Sequence, residues 1–187
     1  YAFRGMCMDL ELMDWLNNYT FPEEEKYEDL EYARCAYSLF VDDLKMSATT
    51  RACIFATRHR FSTEMLMEMM ESSGLISYVG KVNMDREATE KLIEESVETA
   101  AYHTFEWIKA TKDKFTNTKP ILTPRFIPCC TDQLMEVLRE IQMTFGIPVQ
   151  SHLSENQGEI DFVKVLRPQN KFYGDVYNEY DLFGKND

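Results

Sequence analysis

Four short apolar runs, separated by segments of helical periodicity, constrain this chain more than any other feature. The runs cover residues 52–56 (ACIFA), 75–82 (LISYVGKV), 120–123 (PILT) and 149–151, the last approached through Gly146-Ile147-Pro148. Helical spacing is expected over 10–18, 30–45, a stretch opening at Ser62-Thr63-Glu64, 89–112, 131–145, 157–166 and 175–182. Thr20-Phe21-Pro22 should stop the first helix, Ser62 or Thr63 should cap the third, and Gly74 and Gly146 should close helices. Strands that each follow a helix by a short turn pair in parallel, and parallel strands need both faces covered. Two architectures satisfy this: an open doubly wound sheet, or part of an eight-stranded barrel. Neither GxGxxG nor GxxxxGK[ST] follows any run, which removes support from the nucleotide-binding open sheets.

One domain is enough for 187 residues that are 44% hydrophobic and 13% aromatic. The formal charge of −12 repels phosphate backbones and anionic lipid, so neither nucleic acid nor a membrane surface is expected as a partner. The five cysteines are odd in number and form no CxxC, as expected of reduced thiols in the cytoplasm. No apolar run reaches the roughly 18 residues of a membrane span.

In both architectures chemistry gathers where strands end. The first run delivers Thr57, Arg58 and His59; the second Asn83, Met84 and Asp85; the third Arg125 and Phe126; the fourth His152, Ser154 and Glu155. Histidine is the commonest metal ligand, and a glutamate three residues on can carry protons. An arginine followed by an aromatic suits a flat polar heterocycle, through guanidinium donors and a ring face. Simpler roles exist for each. A single histidine at a strand end is often only hydrogen-bonded, Arg125 could be spent on a neighbouring carboxylate, and Phe126 could be core. His59 stays open between the two, and His103 reads as structural. Glu23 to Glu25 read as a solvated helix start, and the methionines of the third helix as core. Cys129-Cys130 lack the PCxxC spacing and any HxE, so they read as buried thiols.

Four stretches then carry a resemblance: MDWLNNYTFPEE at 13–24, ATTRACIFAT at 48–57, TPRFIPCC at 123–130 and VQSHLSEN at 149–156. Fainter support lies in VGKVNMD at 79–85 and DVYNEYDL at 175–182. Together they resemble the guanine deaminase family of the metal-dependent amidohydrolase superfamily. The resemblance implies an α/β fold, a (β/α)8 barrel of the TIM type in which the four strands are the second to fifth. Residues 1–187 would be a partial catalytic barrel domain. It implies one zinc ion per full-length subunit, with His152 as a ligand, and guanine as substrate. Glu155 would shuttle a proton, Arg125 and Phe126 would hold the ring, and His152, Leu153, Ser154 and Glu155 would share a wall of the pocket. It allows a homodimer of the full-length protein. The family's HxH pair, its sixth-strand histidine and its eighth-strand aspartate have no counterpart in the chain. The expectation is therefore an enzyme's central portion, inactive by itself. A non-catalytic relative acting as a scaffold, or an amidohydrolase for another aminated heterocycle, are the alternatives.

Overall fold

The computed structural model describes residues 4–182. Its helices are α1 (Leu12–Trp15), α2 (Phe21–Glu24), α3 (Leu30–Met46), α4 (Arg60–Ser73), α5 (Val97–Thr111), α6 (Asp132–Phe145), α7 (Gln157–Leu166) and α8 (Tyr173–Glu179). Its strands are β1 (Arg51–Phe55), β2 (Ile76–Gly80), β3 (Val82–Asn83), β4 (Thr118–Pro120) and β5 (Thr123–Pro124).

All pairing is parallel. β1 pairs with β2 from Arg51↔Ile76 to Phe55↔Gly80, β2 with β4 from Ser77↔Thr118, and β3 with β5 from Val82↔Thr123. The fourth run makes only a parallel bridge, Leu122↔Val149. Spatial order therefore follows chain order without reversing. Doubly wound sheets reverse at a switch point, whereas a barrel arc does not. The fold is α/β, as expected, with the layout of a partial barrel.

Several boundaries differ from expectation. Two of the expected strands are split. Residues 75–82 break at Lys81 into β2 and β3, and 120–123 is replaced by β4 and β5. Hydrogen bonding continues across both breaks, from Val82 N to Thr57 O and from Ile121 N to Val79 O, at 3.0 Å each. The fourth run is held by Leu122 N to Pro148 O and Gln150 N to Leu122 O, 2.9 Å each, and no further ladder forms. The helix expected over 89–112 begins only at Val97, because Ser96 accepts a bond from Thr99 N and caps it there. Thr104 and Trp107 turn inward on this helix, while Phe105 remains 38% exposed. Pro22 does not stop the first helix. The chain widens into a π-turn over Leu16–Thr20 and runs on in helical geometry into α2, so Pro22, which has no N–H to give, sits directly after the widened turn. Neither Ser62 nor Thr63 caps α4. Ser62 Oγ donates to Tyr27 O, and Thr63 Oγ1 to Thr57 O and His59 O, tying the helix start to its neighbours.

Other signals stand as read. Thr131 caps α6, and Gly74 and Gly146 close α4 and α6 at φ 77° and 61°, while the cap of α3, Asp29, is one that the sequence reading did not single out. Leu66, Met67 and Met70 are fully buried between α4 and the sheet, with Val79, Trp107 and Leu138 in the same core. A second, smaller cluster covers the strand ends. It joins Leu12, Leu16 and Phe21 from the N-terminal helical turns to Val82, Met84 and Phe126. These turns thereby lay a lid of side chains over the end of the sheet where the site residues lie.

Gly80 has no room for a side chain. A Cβ there would lie 1.8 Å from Thr123 Oγ1, 2.8 Å from Gln150 Nε2 and 2.9 Å from Ile121 O. Two of these atoms belong to the neighbouring strand, so the clash cannot be relieved by a flexible side-chain tip alone. Gly80→Ala is expected to destabilise by about 3 kcal/mol or more, at the upper end of overpacking costs. Urea unfolding of the two proteins measures this.

Candidate active site

The order of strands brings Arg125 and Phe126, just beyond β5, beside His152, just beyond the bridge at Val149. Arg125 O is the shared point. It accepts from His152 N at 3.3 Å, from Ser151 Oγ at 3.2 Å, and contacts His152 Nδ1 at 3.0 Å. A carbonyl can only accept, so Nδ1 is the donor in this contact, and in the neutral ring that leaves the Nε2 lone pair free. That is the tautomer a metal-binding histidine needs, with its second nitrogen oriented by a carbonyl. The imidazole lies 4.3 Å from the Phe55 ring, centroid to centroid. Tyr177 OH donates to His152 O at 2.7 Å, fixing the backbone from the other side.

Arg125, Phe126, His152 and Glu155 all line one cavity of about 550 Å³. The four residues that carried the heterocycle and metal readings are thus brought to one place. Phe126 is 2% exposed, so it is core and pocket wall at once. Glu155 is solvent-exposed, in a segment anchored by its own N–H to Glu159 Oε2 at 2.7 Å. Glu159 is completely buried and also accepts from Tyr173 OH at 2.6 Å. Ser154 adopts φ 55°, and this left-handed step turns the chain between His152 and Glu155. Leu153 and Ser154 are exposed and are not among the residues lining the cavity.

Glu24 differs from expectation. Glu23–Glu25 were expected to be solvated, yet Glu24 is 5% exposed and its Oε2 lies 2.5 Å from Arg125 Nη1. The arginine is thus both paired with a carboxylate and in the pocket wall. Burial opposes its charge, but the Glu24 carboxylate outweighs this and holds the guanidinium above its ordinary pKa. The Phe21 ring lies under it, 4.8 Å from the guanidinium carbon. The acidic turn carried one signal of this. FPEE places a carboxylate one turn from an aromatic, but nothing local shows that the partner is 101 residues away.

The remaining strand-end residues serve the scaffold. Asp85 accepts from Thr131 N at 2.8 Å, at the start of α6. Asn83 is buried, with Thr104 Oγ1 2.5 Å and Lys81 Nζ 3.3 Å from its Oδ1. Lys81 is itself fully buried and pairs with Glu94 at 2.6 Å; burial lowers its pKa while Glu94 pulls the other way. Arg58 Nη1 reaches the same carboxylate at 3.5 Å, and His103 Nδ1 at 3.9 Å. His59 caps no helix through its side chain. Burial first, then Arg58, lower its pKa to about 4, so it is neutral at pH 7. Cys129 and Cys130 are buried thiols as read, and burial raises that of Cys130 to about 12.

His152 offers a side chain of metal-ligand type, with its Nδ1 turned to the Arg125 carbonyl. Among the described residues no group of three or more His, Cys, Asp or Glu side chains could hold a metal. The described residues thus offer one ligand, not a complete site. Among them, no helix is long and apolar enough to cross a membrane.

A profile described as the Amidohydrolase family matches residues 1–185. The chain is 40% identical over 183 residues to guanine deaminase of Rattus norvegicus, covering 97% of this chain and 40% of the relative. It is 36% identical over 177 residues to guanine deaminase of Escherichia coli strain K12, covering 94% and 40%. A crystal structure of guanine deaminase from C. acetobutylicum with bound guanine in the active site superposes with a TM-score of 0.95 and 46% identity, over 99% of this chain and 44% of that one. The chain spans about 40% of the length of the curated relatives it matches.

Proposed function

We propose, because the chain belongs to the amidohydrolase family, that the protein carrying it is a guanine deaminase, hydrolysing guanine to xanthine and ammonia. One observation carries the reading. Arg125 and His152, from successive strand ends, share a hydrogen-bonded carbonyl and open onto one cavity together with Phe126 and Glu155. Residues 1–187 are then one part of a catalytic barrel domain. The relatives at 36–46% identity that are guanine deaminases support the choice of substrate.

Amidohydrolases are in general metal-dependent. In this reading the metal is zinc, and His152 holds it through Nε2. When bound, the ion would supply a water acidified enough to give hydroxide near neutral pH. Glu155 then accepts a proton from the attacking water at its carboxylate. It gives that proton to the ring nitrogen, then takes the second proton from the newly bound hydroxyl and hands it to the amine as the carbon–nitrogen bond breaks and the carbonyl forms. The carboxylate ends as it began, so one water and one guanine give one xanthine and one ammonia. Arg125 donates to the ring carbonyl and fixes the orientation of the ring, which is the source of proximity gains. Phe126 provides an apolar wall that excludes water from the ring. The five free thiols support a reducing compartment such as the cytoplasm.

Arg125→Ala in the full-length protein tests the pocket. The expected result is a Michaelis constant for guanine raised by about 100-fold, as for loss of a charged hydrogen bond, with zinc content unchanged. Steady-state kinetics and metal analysis measure both. Wild-type handling of guanine by this variant would show the pocket assignment to be wrong.

A further inference from the structure

One buried polar group in this cavity has a role that Arg125 alone does not explain. Glu24 is 5% exposed and uses only Oε2 on Arg125; Oε1 is buried with no hydrogen-bond partner. A carboxylate oxygen withdrawn from water and left unpaired is costly. Two further buried polar atoms of the same cavity, Thr20 Oγ1 and Tyr37 OH, also lack partners. Many of the other residues lining the cavity are apolar, Leu16, Leu66 and Val82 among them. The arrangement is a polar pole in an apolar pocket, as a site that orients a flat ligand requires.

We propose that Glu24 determines which purine the pocket accepts, with Oε1 receiving the ring N–H beside the carbonyl while Arg125 donates to that carbonyl. This rests on the guanine reading above and extends it. A guanidinium next to a carboxylate presents donor beside acceptor. Guanine offers the complement, a C=O beside an N–H. In 2,6-diaminopurine the same edge is reversed, with an amino group beside a bare ring nitrogen, while the reacting 2-amino group is retained. A carboxylate has no proton to give that nitrogen, and the guanidinium has no lone pair for the amino group. Sites built to hydrogen-bond a substrate group reject analogues lacking it by about 10⁴-fold or more. Glu24 also holds Arg125 in place, so both members of the pair depend on it.

The test compares guanine with 2,6-diaminopurine in full-length wild type, Glu24→Gln and Glu24→Asp. Glutamine can turn its amide N–H toward the bare nitrogen; aspartate keeps an acceptor on a shorter arm. Glu24→Gln is expected to raise KM for guanine about 10-fold, with kcat changed less than about 3-fold. Its kcat/KM preference for guanine over 2,6-diaminopurine should fall by about 10-fold or more. Glu24→Asp is expected to bind guanine more weakly but to keep the preference. A preference unchanged in Glu24→Gln, or lost equally in Glu24→Asp, overturns the proposal. So does a wild-type structure with guanine bound in which a water, rather than a ring N–H, lies within about 3.2 Å of Oε1; that measurement needs no variant to fold. Failure of wild type to make xanthine from guanine would instead sink the functional reading itself.

Discussion

Glu155→Gln in the full-length protein is expected to lower kcat for guanine by about 10³-fold while leaving KM within a few-fold of wild type. The amide keeps the size and polarity of the side chain but cannot accept the proton of the attacking water. Among the described residues the Glu155 carboxylate makes no hydrogen bond or ion pair, and the side chain is exposed. The segment is held by its backbone N–H on Glu159 and by the Asn156 side chain, which caps α7 by accepting from Gly158 N at 2.7 Å. Thermal stability should therefore change by less than about 0.5 kcal/mol, as for an exposed side chain. Zinc content should not change either, because Glu155 is not assigned as a ligand. The combination is diagnostic: stable, metal-loaded and slow. A kcat within about 3-fold of wild type would remove Glu155 from the proton path.

His152→Ala is the second large effect. It removes the nitrogen that we assign to the metal, together with the ring held at Nδ1 by Arg125 O. Catalytic zinc sites use about three protein ligands, so losing one is expected to weaken zinc binding by at least about 10²-fold. Without the acidified water, xanthine formation should fall by about 10⁴-fold or more. The fold should tolerate the change. His152 is only half-buried, and its backbone bonds, from its N–H to Arg125 O and from Tyr177 OH to its C=O, survive truncation. Metal analysis and kinetics on the same preparation separate the two effects. Stoichiometric zinc with near-normal turnover would end the assignment of His152.

What could be read in the chain, and what could not, divides along the reach of the interactions. Caps, closing glycines and helical stripes are local, so Thr131, Gly74 and Gly146 mark real boundaries. The parallel alternation is nearly local too, and it set the fold class. That Arg125, Phe126, His152 and Glu155 come to one cavity was legible because strand ends gather at one end of such a sheet, and TPRF and VQSHLSEN carried the family resemblance. Failures came where a partner lies far along the chain. Glu24 looked solvated because Arg125 is 101 residues away. Lys81 and Asn83 looked like strand and loop polarity, yet Glu94 and Thr104 draw them into a buried network. The late start of α5 has a local cause, Ser96, but the apolar Leu92 and Ile93 mimicked another helical turn. Leu92 is buried in the second cluster from a turn, not from a helix. The strand at 149–151 was right in place and direction but overstated in length.

The most direct measurement is zinc content together with conversion of guanine to xanthine, on the 187-residue chain and on the full-length product side by side. The full-length product should hold one zinc per subunit and form xanthine. The 187-residue chain, whose described residues offer His152 and no cluster of three ligands, should hold no stable zinc and form none. Absence of xanthine from metal-loaded full-length protein, or tight stoichiometric zinc in the 187-residue chain alone, would contradict the account.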